Sequence, residues 1–228
     1  MAAWLTRPEQ KSSNPSSKFL EWSSNDKCFK FYDKEKGENV LVPLPLKFVI
    51  LEHYHTVKGW HDASESAIYS NEVYGIGVES MEVKAFKGGT LDKGLYKNIK
   101  QKVKACGGNY HRSIYAVDKN LEIINLSFKG TAVAAYSEFI KKFGDYNFDK
   151  NWIEITEAKE DKKGSVKYSI PVFKSSTPIK DSSKIIPFAE TLQSYMIQYV
   201  EYQGRPASET DKYHAPEVEE SDDEDAPF

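Results

Sequence analysis

Leu46-Lys47-Phe48-Val49-Ile50-Leu51-Glu52-His53-Tyr54-His55-Thr56-Val57-Lys58-Gly59-Trp60 is the stretch that decides the fold class. It reads as two strand-type segments, 46–51 and 54–60, too short and too rich in β-branched and aromatic residues for a helix. Upstream, similar segments at 18–22, 28–32 and 40–42 are separated by turn signals such as Ser23-Ser24-Asn25-Asp26 and Lys36-Gly37-Glu38-Asn39. Pro43 and Pro45 flank Leu44 and place that link at an edge, a bend or a bulge. Downstream, 67–73 and 81–86 continue the pattern, the second closed by Lys87-Gly88-Gly89.

The period then changes. Residues 91–106 carry Leu95, Ile99 and Val103 at spacings of four, which predicts a helix, and Gly107-Gly108 stops it. Strands at 110–117 and 121–128 follow, joined by Asp118-Lys119-Asn120. A second helix is expected over 131–143, with Val133, Tyr136, Ile140 and Phe143 on one side. A hairpin of 152–158 and 165–173 comes next, its turn at 159–164, then a last helix opened by Pro187 and ending near Tyr202. Many short strands with a few helices argue for a β-rich or α+β antiparallel barrel with inserted helices. There is no internal repeat, no βαβ alternation and no phosphate-binding glycine motif.

Composition divides the chain. Its 228 residues carry a net charge of −3, but residues 203–228 hold nine acids against Arg205 and Lys212, a net of −7, which leaves +4 on the rest. The expected organisation is a disordered polar arm at 1–17, one folded domain at 18–202, and a disordered acidic tail at 203–228. No apolar run approaches the ~20 residues that span a bilayer, and the N-terminal residues lack the apolar core of a signal peptide. Cys28 and Cys106 are therefore expected as reduced thiols in a cytoplasm.

The tail ends Asp222-Asp223-Glu224-Asp225-Ala226-Pro227-Phe228. An acidic string ending in Pro-Phe offers a partner charge plus one apolar anchor, a combination that solubility alone does not need. This segment resembles the acidic tip of bacterial single-stranded DNA-binding proteins, which ends in an acidic run, a small or aliphatic residue, then Pro-Phe. The resemblance implies that Asp222, Asp223, Asp225, Pro227 and Phe228 dock on replication, recombination and repair proteins and compete with DNA for a basic groove. It covers residues 222–228 only; the first 200 residues do not align with the bacterial domain, and the long Gly/Gln/Pro linker is missing. Phage proteins of this function often have enlarged, divergent OB-folds with such tails, so an OB-fold-like barrel and a phage origin are the expectation that the resemblance adds.

Binding a bare strand needs cations for phosphates and flat rings for bases. Lys93, Lys97, Lys100 and Lys104 fall on one expected helix stripe, opposite Leu95, Ile99 and Val103. Tyr54, Lys58, Trp60 and Tyr69 bring rings and a cation together. In 81–87, Met81, Val83 and Ala85 suit the core, which leaves Lys84 and Phe86 opposite, beside Lys87. Tyr110 and Arg112 complete the candidates, with Trp60, Phe86 and Tyr110 the first choices for stacking. His53, His55 and His61 match no zinc spacing, no nucleophile motif is present, and no cofactor or enzymatic activity is expected. The competing readings are a virion protein with an acidic docking tail and a DNA-mimic inhibitor.

Overall fold

The computed structural model describes residues 13–144 and 147–203. The acidic tip and most of the N-terminal arm lie outside the described residues. Within the arm, Asn14 Nδ2 donates to the Tyr115 hydroxyl (2.9 Å) and Ser17 N–H to the Ile123 carbonyl (2.8 Å).

Eleven strands form one sheet: β1 (Lys18–Ser23), β2 (Cys28–Asp33), β3 (Glu38–Val42), β4 (Leu46–His61), β5 (Ser66–Ser70), β6 (Met81–Ala85), β7 (Gly89–Gly94), β8 (Gly108–Asp118), β9 (Ile123–Lys129), β10 (Asn151–Lys163) and β11 (Val166–Pro178). Among the described residues three α-helices accompany them: α1 (Tyr96–Ala105), α2 (Thr131–Phe143) and α3 (Ile186–Gln203). The strand order is β3-β2-β1-β9-β8-β4-β5-β6-β7, with β10 branching from β4 and β11 pairing β10. Neighbours are antiparallel except β1 and β9, which run parallel.

The two segments expected at 46–51 and 54–60 are one strand. A register shift between Ile50 and Glu52 absorbs Leu51 and lets β4 continue through Glu52-His53. This bulge preserves the alternation, so Phe48, Ile50 and His53 share one face while Val49 and Tyr54 share the other. The expected helix of 91–106 is also divided. Residues 89–94 pair with β6 as β7, and the helix proper starts at Tyr96 with Leu95 as its N-cap. Gly107, at φ +91°, ends it, and a Cβ on Gly59 would sit 2.1 Å from the Gly107 carbonyl oxygen, so both glycines are needed where the helix exit crosses β4.

The barrel expectation requires correction. β3 and β7 end the sheet path without pairing each other, so the backbone ladder is open. A seam of other bonds partly closes the α2 side. Ser169 of β11 donates its N–H to Ser24 Oγ (2.7 Å) and its hydroxyl to the Ser24 carbonyl (2.7 Å), while Trp22 Nε1 donates to the Ser169 carbonyl (3.2 Å). Inside this seam Phe128 makes edge contacts with Phe29 and Phe173 and stacks on Tyr136 of α2 at 5.9 Å. A second cluster lies under α1, joining Val57, Ile68, Met81 and Val83 to Ile99 and Val103. A third, on the other face, joins Val49, Tyr115, Val117 and Ile123 to Leu192 and Met196 of α3. Because β10 pairs β4, α2 packs on the first cluster and α3 on the third, the described residues of 131–203 belong to the same body.

Ser169→Ala removes the hydroxyl donor to a half-buried carbonyl of the seam. It should cost about 1–2 kcal/mol in urea unfolding, whereas Lys162→Ala near the exposed hairpin tip should stay within about 0.5 kcal/mol.

Candidate nucleic-acid interface

Strand alternation gives the sheet two faces of different character. One is covered by α1 and α2. On the other, α3 covers only the end that carries Val49, Tyr115, Val117 and Ile123. Among the described residues, no helix covers the remainder of that face, over β4, β5 and β6. There Lys58 stands opposite Tyr69, and Tyr69 opposite Lys84, forming one row across three strands. Trp60 pairs with Ala67, whose carbonyl accepts the Phe86 N–H at 2.9 Å, making a second backbone row. Phe86 is 45 % exposed. The residues between these rows, Gly59, Ile68 and Ala85, face the opposite way, toward α1.

The row is electrostatically organised. Glu82 receives Lys84 at 3.2 Å and Lys93 of β7 at 3.7 Å. Partial burial pushes its carboxyl up, but the two lysines and Thr90 hold it below the usual carboxylate range. Lys58 Nζ donates to Ser127 Oγ (3.2 Å), which also bonds His111 Nδ1 (2.9 Å). Beside them the Glu72 carboxylate accepts from the Ser113 hydroxyl and from the Tyr115 hydroxyl (2.8 Å), Asn125 Nδ2 donates to Ser113 Oγ (2.7 Å), and the Glu72 N–H donates to the Tyr199 hydroxyl of α3 (2.9 Å). Burial lowers the Lys58 ammonium, against the pull of Glu72 and Glu21, and raises the Glu72 carboxyl, against its hydroxyl donors and Lys58.

The candidates read from the sequence do not form one surface. Lys58, Trp60, Tyr69, Lys84 and Lys93 share the open face, with Phe86 and Lys87 at the adjoining β6–β7 turn. Lys93 is therefore a strand residue and not part of the helix stripe. Lys97, Lys100 and Lys104 are exposed on α1, whose Tyr96, Ile99 and Val103 point inward. Their side lies beyond the sheet and a helix about 10 Å thick. Tyr110 and Arg112 also face α1. The Tyr110 ring packs 5.4 Å from Tyr96, and Arg112 Nη1 donates to the His55 ring. Burial, then the charges of Arg112 and His53, drive His55 down to about 3, so it stays neutral and accepts that bond. Tyr54 packs edge-on to Tyr115 (5.9 Å) and Tyr74 (6.5 Å). Burial, then the charges of Glu52 and Glu72, raise its hydroxyl.

Sequence reasoning missed Phe19, 47 % exposed, and Lys30, Lys129 and Asn109. The register carries the open face on to them: Lys58 pairs with Asn109, His111 with Lys129, Glu21 with Lys30 and Phe19 with Asn125. The signal was present in β1, where Leu20 and Trp22 alternate with Phe19 and Glu21. It needed the parallel pairing with β9 to show which face those residues join.

Among the described residues no group of three or more His, Cys, Asp or Glu stands close enough to hold a metal, and no helix is long and apolar enough to cross a membrane. Comparison with protein-family models, with curated proteins and with solved structures finds no match to this chain.

His111 is 3 % exposed, and burial, then the charges of Lys58 and Lys129, hold its imidazole well below the ordinary value. A base depressed by folding stabilises the fold above its unfolded pKa of about 6.5 and loses that contribution as pH falls. His111→Gln cannot take up the proton. Its stability deficit against the parent, measured by urea midpoints, should therefore shrink as pH falls from 7 to 5.

Proposed function

We propose that the chain is a non-catalytic, sequence-nonspecific single-stranded DNA-binding protein serving replication, recombination or repair, and that the open sheet face is where the strand lies. The carrying observation is the pair of rows Lys58·Tyr69·Lys84 and Trp60·Ala67·Phe86. The first sets a ring between two cations and the second places two rings about Ala67, on a face that α1 and α2 do not cover. Rings stack on any base, and lysines hold phosphates without reading sequence. The Glu82 bridge occupies Lys84 and Lys93 in the free protein, and a phosphate carries the charge needed to replace it.

An OB-like reading of the body draws support from the α2 side, where β1, β9, β8, β4, β10 and β11 wrap one aromatic core and the Ser24–Ser169 seam stands where a ladder would close a barrel. The recruiting role of Asp222, Asp223, Asp225, Pro227 and Phe228 rests on their chemistry and on the resemblance of the tip.

Titration with oligo-dT at several salt concentrations tests the reading. Binding should quench tryptophan fluorescence and weaken steeply with salt. Tyr69→Ala or Phe86→Ala should each reduce affinity by about 5- to 150-fold, the equivalent of about 1–3 kcal/mol for one stacked base. Replacing Lys97, Lys100 and Lys104 together by Gln should reduce it no more than about threefold, the small effect expected of charges outside the strand's path. The reverse pattern would move the site to α1, and no binding at low salt would end the proposal.

A further inference from the structure

Where β10 and β11 leave the sheet and α3 begins, the surface holds a cleft of about 250 Å³. Leu121, Trp152, Ile179 and Ile185 supply its apolar lining, and Lys180 and Lys184 stand on its rim. Lys47 adds a third cation. Its Nζ lies 5.6 Å from the Trp152 ring centroid and donates to Thr177 Oγ1 at 3.0 Å. One acid, Asp181, belongs to the rim, but its carboxylate is taken up by the Ser183 N–H (3.1 Å) and hydroxyl (2.5 Å). The cleft is smaller than the roughly 300–1,000 Å³ of a site for a drug-sized ligand. It suits one or two side chains brought by a peptide, and its rim suits an acidic one.

We infer that this cleft seats the chain's own C-terminal segment, with the Phe228 ring against Trp152 and Ile179 and the acids Asp222, Asp223 and Asp225 over Lys47, Lys180 and Lys184. Charge complementarity is the first argument: the segment ends four acids, Ala226, Pro227 and a single ring. Reach is the second. The α3 helix starts beside Ile185 in the cleft wall and runs 18 residues, so Gln203 lies about 27 Å away at 1.5 Å per residue. The 25 residues from 204 to 228 are enough to cover that span, since at about 3.3–3.6 Å per residue 25 residues reach at most about 80–90 Å. A segment joined to the same chain and long enough to reach the cleft meets it at a raised effective concentration, which favours docking within one chain over docking between copies.

The cleft and the open face lie at opposite ends of β4, eleven residues apart from Lys47 to Lys58, or about 35 Å. A tip seated here leaves the proposed DNA surface clear. Partner proteins must compete with the cleft, and this consequence alone rests on the recruiting role proposed above.

Nuclear magnetic resonance of the ¹⁵N-labelled full chain, without DNA, tests the seat. Phe228→Ala should shift the Trp152 indole and the amides of 179–185, and Lys180→Glu with Lys184→Glu should move the same set. The shifts should persist on tenfold dilution. The inference is overturned if Phe228→Ala leaves the cleft unmoved, if it moves Lys58, Tyr69 and Lys84 instead, or if the shifts vanish on dilution, which would mean docking between copies. Since the core is untouched by a change at Phe228 and no DNA is present, failure here is separate from failure of the DNA-binding reading.

Discussion

The two edges of β4 constrain everything else. One edge is committed to β8 for nearly its whole length, and the other is shared between β10 at its start and β5 at its end. A strand with both edges in use cannot slip by one residue without moving every side chain to the wrong face. The bulge at Leu51 is the one place where the register is adjusted. It brings His53 onto the side where its ring meets the Tyr136 hydroxyl of α2 at 2.7 Å, and Tyr54 onto the side of α3. From that follow the three separate clusters, one under each helix, and the helix-free stretch left over β5 and β6.

Most elements were legible because their signals are local. Residues 131–143 form a helix with the expected bounds, and Met81, Val83 and Ala85 are buried as their alternation demands. The failures come where a distant partner decides. Glu52-His53 looks like a break between two strands until β8 pairs across it. Residues 91–94 fit a helical spacing of lysines and leucines, yet β6 offers an unfilled edge and takes them as a strand. Hydrophobic period alone does not separate these outcomes in so short a window. The candidate site suffered in the same way. Alternation told which residues of one strand share a side, but only cross-strand register told that Lys58, Tyr69 and Lys84 lie together while Tyr110 and Arg112 lie behind them. The acids of the tip were legible as chemistry, but sequence offered no sign of the cleft, whose lining comes from the β8–β9 turn, β10, β11 and the approach to α3.

The open face is backed by a polar layer where an apolar one would be simpler. Lys58, Ser127 and His111 form one hydrogen-bonded group, and Glu72, Ser113, Tyr115 and Asn125 form another beside it. Burying charge there is costly, and each group is tolerated because it is partnered. The layer also reaches Tyr199, so α3 and the sheet are joined through hydrogen bonds as well as through Leu192 and Met196. Lys58 is thereby held in place by fixed neighbours, and an anion meeting it encounters a charge that needs little rearrangement.

The sheet path ends in two edges, β3 and β7; β11, which pairs only β10, leaves a third, partly occupied by the Ser24–Ser169 bonds. Edge strands are templates for pairing with another molecule, and the hazard grows wherever copies are held side by side on a common polymer. Here β7 is only six residues long, begins and ends in glycine, and carries Asp92 and Lys93, while β3 is five residues long and runs straight into Pro43 and Pro45. Short, charged and proline-flanked edges offer a poor ladder to a neighbour. Two copies that meet at β3 or β7 can therefore touch without their sheets fusing.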